Sequence, residues 1–333
     1  MNGYERYMGI LTDRKVDILP RLPILMAFAT EFIGSNYAAF ASDYRVLAES
    51  IYRCAEYFGF DQLTTLSDPY RETQGFGGDI EYVTDGVPRC PNPPLKESKD
   101  LKGLIKPDPL SSERMLDRVR AVEQYKKLAY KKYSILGWVE GPAAEAADLR
   151  GVENFLIDLI DDPEFLGEVM DLCVETAIPF ARVQLESGAD TIGIGDAIAS
   201  QVSPPLYQEL IFPREKTLVD AIHKAGGYVR LHICGNISHL LGEIAKLQVD
   251  ILDVDWQVDM AKARDLLGSQ TVLMGNLDPA NDVLRGTPDS IKEKLIQIYR
   301  TIGNRYMTGA GCEIPPGTAY ENLKALCVPI DFK

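Results

Sequence analysis

Short apolar runs alternate with longer stretches of helical period along almost the whole chain. Eight runs read as strands: Pro23–Phe28, Gln62–Leu66, Ser134–Val139, Asp190–Ile194, Tyr228–His232, Asp250–Val254, Thr271–Met274 and Arg305–Thr308. Most are apolar at successive positions instead of alternating with polar residues, the pattern of strands covered on both faces. Between them, Asp43–Phe58 and Pro163–Glu186 space their apolar residues three and four apart and read as amphipathic helices. Asp162-Pro163 and Ser203-Pro204 each place a capping residue before a proline of the first turn, and Gly226-Gly227 stops the helix that carries His223.

Eight such strands with helical crossovers predict a (β/α)8 barrel in a single domain covering residues 1–333. A helical extension occupies about residues 1–20. The largest insertion, residues 75–106, follows the second strand; it is rich in Gly, Pro and Asp and is expected to hold a hairpin around Ile80–Val83. The rival, an open doubly wound sheet, is weakened because no Gly-rich phosphate fingerprint follows the first strand.

In a barrel, chemistry belongs where strands end. The positions just past the predicted strands are Glu31, Asp68, Glu140, Asp196, His232 with Cys234, Asp255, Asn276 and Cys312. Loops are polar in any case, so Glu31 and Glu140 alone argue nothing. His232-Ile233-Cys234-Gly235 is different, because its two soft ligands leave one strand end together. The distant Gly311-Cys312 reaches the same opening, giving the three-ligand set of an open zinc site. Singly, a buried histidine or cysteine is more often structural. Asp253 and Asp255 share a face at the end of the sixth strand, and Asp255, nearer the mouth, is the candidate fourth ligand. The competing reading for it is a hydrogen bond to a loop backbone. Asp196 and Asn276 are candidates for orienting substrate, and Asp68 is a further candidate catalytic residue. Cys54 and Cys173 lie on apolar helix faces, Cys90 and Cys327 have no companion, His223 suits a helix C-terminus, and His239 is expected to face solvent.

A formal charge of −14 argues against a nucleic-acid partner. No apolar run is long enough to span a membrane, no secretory leader is evident, and the cysteines do not form a disulfide framework, so a cytoplasmic setting is expected.

At these residues the chain resembles the uroporphyrinogen decarboxylase superfamily. The likeness runs through Gly141-Pro142, Ser187-Gly188-Ala189-Asp190 leading to Gly195-Asp196, Ser203-Pro204, Gly275-Asn276-Leu277-Asp278-Pro279, and Ala310-Gly311-Cys312-Glu313-Ile314-Pro315-Pro316 followed by Glu321-Asn322-Leu323-Lys324. With His232, Cys234 and Cys312 it is similar to the zinc-dependent corrinoid methyltransferase branch, typified by methylcobalamin:coenzyme M methyltransferases. Decarboxylases of the family carry an arginine-rich loop after the first strand, where this chain reads Ala29-Thr30-Glu31-Phe32-Ile33-Gly34-Ser35-Asn36. They also carry a Gly-His-Gly where it reads Gly309-Ala310-Gly311. Asp68, however, matches their aspartate. The resemblance implies Zn2+ and a corrinoid (methylcobalamin or cob(I)alamin) supplied by a corrinoid protein partner, and a methyl group moved between the corrinoid and a small-molecule thiol acceptor or methylated donor. Thiolate ligands would keep a zinc-bound substrate thiolate nucleophilic. The alternative is a metal-independent tetrapyrrole decarboxylase; a zinc-bearing binding protein is a third, non-enzymatic reading.

Overall fold

The computed structural model describes residues 1–333. Its strands are β1 (Gln62–Thr64), β2 (Glu81–Val83), β3 (Gly86–Arg89), β4 (Ser134–Glu140), β5 (Thr191–Gly195), β6 (Tyr228–His232), β7 (Ile251–Val254), β8 (Val272–Leu277) and β9 (Tyr306–Ala310). Seven of them form one parallel sheet in the order β1-β4-β5-β6-β7-β8-β9, with helical crossovers, while β2 and β3 pair antiparallel. The fold is the expected (β/α)8 barrel.

The first stave differs from expectation. Pro23–Phe28 is not a strand: a helix begins at Ala27 and runs to Phe32. The gap between β9 and β1 is closed instead by the segment around Arg21–Ile24, which bridges to Thr308 and Glu313 in parallel. The Leu22 amide donates to the Thr308 carbonyl at 2.8 Å, and the Asp61 amide donates to the Arg21 carbonyl at 2.9 Å. An apolar run alone does not say where extended chain gives way to helix, and the run predicted as strand straddles that change.

Elsewhere the elements fall within a few residues of their predicted places. The helices run Tyr44–Phe58 and Pro163–Ser187. Asp162 caps the second through a bond from the Phe165 amide at 3.3 Å, and proline follows as the first helical residue. Ser203 makes no side-chain cap, although Pro204 does open a helical segment. The insertion contains the expected hairpin, β2 and β3, closed by Thr84 and Asp85.

Two apolar clusters define which end of the barrel is open. A continuous core of 80 buried residues lies between the sheet and its outer helices. A second cluster joins Tyr7, Ile10 and Val16 to Ile251, Val272, Met274 and Met307, so the N-terminal helix Gly3–Leu11 plugs the bottom of the barrel. Tyr7 is pinned there by a 2.8 Å bond between its hydroxyl and that of Thr191, at the start of β5. Only the C-terminal ends of the strands remain accessible for chemistry. No helix is long and apolar enough to cross a membrane.

Candidate metal centre

His232 ends β6, Cys234 lies two residues further on, and Cys312 lies two residues past the end of β9. Their ligand atoms lie within 4.8 Å of one another. His232 Nε2 is 3.0 Å from Cys234 Sγ, Cys234 Sγ is 3.6 Å from Cys312 Sγ, and Cys312 Sγ is 4.0 Å from His232 Nε2. Ligand atoms on a tetrahedral zinc stand about 3.5–3.8 Å apart, given zinc–sulfur and zinc–nitrogen bonds of about 2.3 and 2.0–2.1 Å. The three separations straddle that range, so the donor set fits the ion in size as well as in softness. Gly235 makes the approach possible: it adopts φ +91°, a conformation open to glycine, as the chain leaves Cys234.

The imidazole is oriented from behind. Strand register sets His232 opposite Asp253, and its Nδ1 lies 2.9 Å from Asp253 Oδ2. A proton held on Nδ1 by that carboxylate leaves Nε2 free to face the thiols. Asp253 is itself held by Arg230 Nε at 2.8 and 3.0 Å, and Arg230 Nη1 donates to Gln62 Oε1 at 2.6 Å. A chain of polar contacts therefore crosses the barrel interior from β1 to β7. Burial would raise the Asp253 pKa, but the Arg230 guanidinium outweighs it and holds the carboxyl below its ordinary range. Trp138 packs beside the imidazole, with ring centroids 6.0 Å apart. The two thiols share their protons unequally. Their mutual hydrogen bond holds Cys312 down to about 4, and the same bond, reinforced by burial, pushes Cys234 up.

The other predicted residues do different work. Asp255 is not drawn into the ligand group. Its carboxylate accepts the amides of Gly235 and Gln257, each at 3.0 Å, the loop-backbone role weighed against ligation. Asn276 supports the same loop, its amide donating to the carbonyls of Asp255 at 3.1 Å and Val258 at 2.8 Å. Asp196 is fully buried and accepts the amides of Ala143 and Ala144, at 3.3 and 2.6 Å, in the first turn of the helix Pro142–Arg150. It has no exposed surface to offer a substrate. Asp68 is locked in a two-pronged ion pair with Arg114, at 2.7 and 2.6 Å, and bonded to the Ser67 hydroxyl at 2.6 Å. Burial opposes its charge, but Arg114 prevails and keeps the carboxyl well below the usual range.

Glu140 is buried against Arg71 and the Trp138 indole N–H. Glu31 accepts the amide of Gly317 at 3.1 Å. His223 pairs with Asp250 at 2.8 Å, and the exposed His239 bonds the Val202 carbonyl at 3.0 Å. Cys54, Cys173 and Cys327 are buried. Sequence reasoning passed over Asp253 in favour of its neighbour; alternation showed that both face one way, but only the pairing of β6 with β7 shows which meets His232.

The family model described as Uroporphyrinogen decarboxylase (URO-D) matches residues 2–330, and the chain belongs to that family. A uroporphyrinogen decarboxylase from Synechococcus sp. (strain CC9902) is 29% identical over 80% of this chain and 77% of its own. A methylcobamide:CoM methyltransferase, MtaA, from Methanosarcina barkeri is also 29% identical, over 70% of this chain and 68% of its own. Among solved structures, a methyltransferase from Methanosarcina mazei superposes with a TM-score of 0.89 at 24% identity, covering 98% of this chain and 97% of that one, so the fold is shared along the whole length. The protein is an enzyme of the URO-D superfamily.

Proposed function

We propose that this chain is a methyltransferase that moves a methyl group between a small molecule and a corrinoid carried on a separate protein. The observation that carries the reading is the convergence of His232, Cys234 and Cys312 at the open end of the barrel, with His232 fixed by Asp253. A zinc ion held by these three residues would leave a position at which a substrate thiol loses its proton or a methylated heteroatom is polarised. The side chains of this protein supply the rest. Asp253 fixes the imidazole tautomer, the Cys234–Cys312 pair presents negative charge, and Asp255 and Asn276 hold the loop that packs against Gly311, beside Cys312. The likeness to the Methanosarcina barkeri methyltransferase supports this branch of the family.

Equally similar relatives are decarboxylases, and a porphyrinogen substrate would need cations for its carboxylates. The arginines near the strand ends are already engaged: Arg114 with Asp68, Arg71 with Glu140, and Arg230 with Asp253. Elemental analysis of protein purified without chelator is expected to find about one zinc per chain. The protein is expected to demethylate methylcobalamin in the presence of a suitable thiol, or to methylate cob(I)alamin from a methylated compound. Release of carbon dioxide from uroporphyrinogen without zinc, and with no spectral change in added cobalamin, would replace this reading with the decarboxylase.

A further inference from the structure

The loop after β7 carries a large aromatic side chain that is half exposed. Trp256 is 48% exposed, whereas the other tryptophan, Trp138, is 2% exposed. The backbone beneath it is fixed on several sides. Asp255 and Asn276 grip the loop, and the Val258 amide closes it on the Asp255 carbonyl at 3.0 Å. Against it lies Gly311, the residue before Cys312. A Cβ at Gly311 would come within 2.5 Å of the Trp256 backbone nitrogen, so the loop sits directly on the chain that delivers the thiol. A rigidly mounted indole left facing water is the signature of a contact surface, because its apolar area is available without any ordering of the backbone.

The neighbouring rim indicates what kind of molecule it meets. The loops after β5, β6 and β7 adjoin one another around the barrel. Ser200 of the first packs near Gly235 of the second, 3.4 Å from where a Cβ would stand. Of the exposed side chains on these three loops, Gln201, Asn236 and Gln257 are neutral, and the nearest charged one, Asp259, is turned into the cap of the helix Met260–Leu267, where it accepts the amides of Ala261 and Lys262. From Ala197 to Pro205, from Gly235 to Ser238 and from Trp256 to Val258 there is no Asp, Glu, Lys or Arg, in a chain of which 25% is charged. An aromatic face bordered by amides and hydroxyls suits a broad, flat macrocycle whose edge bears uncharged carboxamides, as the corrin ring does. It does not suit the carboxylate-fringed edge of a porphyrinogen, which needs cations.

We infer that Trp256 and this uncharged sector form the seat of the corrin macrocycle, with the indole packed against the ring and the amide side chains of Gln201, Asn236 and Gln257 meeting its carboxamides. The inference rests on the reading of the protein as a corrinoid methyltransferase and names the surface that meets the cofactor.

The test is titration of the full chain with aquocobalamin and with methylcobalamin, read by tryptophan fluorescence and by equilibrium dialysis; uroporphyrin serves as the carboxylate-fringed control. Cobalamin is expected to quench the wild-type emission substantially. Trp256→Phe should retain most of the affinity by dialysis while losing most of the quenching, because only the buried Trp138 remains to report. Trp256→Ala should weaken binding by about threefold to tenfold, the contribution of one aromatic packing contact. Unchanged dialysis affinity in Trp256→Ala, or no cobalamin binding by wild type, overturns the inference, as does tighter binding of uroporphyrin than of cobalamin. If wild type moves the methyl group of methylcobalamin while Trp256→Ala binds cobalamin equally well, the seat is wrong and the assigned reaction stands. If wild type binds cobalamin through Trp256 but transfers no methyl group to or from it, the seat stands and the reaction is wrong. If Trp256→Ala is impaired only with a corrinoid protein and not in cobalamin binding, the indole contacts the partner's polypeptide and the inference fails.

Discussion

At the scale of single residues, the side chains behind the candidate ligands matter as much as the ligands. Asp253 contributes no ligand atom but holds His232 by its inner nitrogen, and groups in that position commonly account for ten- to a hundredfold in metal affinity. Asp253→Asn should therefore lower zinc affinity by about 10- to 100-fold in a chelator-competition titration. Cys312→Ala should lose tight binding altogether; retention of zinc by that variant would remove Cys312 from the site.

A second buried group is expected to set how stability responds to pH. Glu215 is fully buried, bonded by the Tyr207 hydroxyl, and faces Asp196; burial pushes its pKa up to about 7. Burial raises the pKa of both carboxyls, so the pair is expected to hold a proton in the folded state. The folded-state pKa lies above the unfolded one. The contribution to stability is thus complete below the ordinary glutamate range and is lost as pH rises through about 7. Denaturant melts should show stability falling by up to about 3 kcal/mol between pH 5 and 8. Glu215→Gln, which stays neutral, should flatten that slope; an unchanged slope would exclude the pair as its source.

At the scale of elements, β4 and β5 show how a strand pair shapes a site it does not enter. Gly193 is the Cα partner of Trp138, and a Cβ there would lie 2.2 Å from the indole ring. The missing side chain leaves the space that the indole fills beside His232, its plane tilted 59° from the imidazole. Gly193→Ala should cost about 1–3 kcal/mol of stability by overpacking. Because the displaced ring leans on the imidazole, zinc affinity should fall with it, and loss of stability without loss of affinity would show that the indole does not support the site.

Much of this scale was legible in the sequence. Tyr228–His232 was placed to the residue, because an apolar strand bounded by glycines on one side and a His-x-Cys-Gly turn on the other leaves little choice. Pro23–Phe28 was misplaced because proline and apolar residues suit both the end of an extended segment and the start of a helix. Asp196 and Asp68 are both candidates because each follows a strand. Sequence does not reveal that a helix N-terminus has claimed one and Arg114 the other.

At the scale of the whole molecule, the fold is not expected to lean on a bound metal. The 80-residue core lies outside the ligand triad, and the barrel bottom has its own apolar plug. A core of that size holds a domain without a metal clip, in contrast to small zinc modules that unfold when stripped. Removing the metal with a chelator should leave the far-UV circular dichroism unchanged while turnover disappears. Unfolding on chelation would mean that the site is structural.

The stave around Arg21–Ile24 has a dynamic consequence. Seven strands are laced by continuous ladders, but this seam is held by two isolated bridges and a few amide bonds, one of them from Ile314 to the Ile24 carbonyl at 2.9 Å. Cys312 follows β9, the strand at the edge of the laced sheet that borders the seam, whereas His232 and Cys234 follow β6 in its middle. Local opening begins where the hydrogen bonds are fewest. The amides of Leu22 and Ile314 should accordingly exchange with deuterium faster than those of β5 and β6. Zinc, by pinning the chain just past β9 beside Ile314, should slow them. The hinge of this enzyme would then be a joint in its own wall, closed each time the ion is bound.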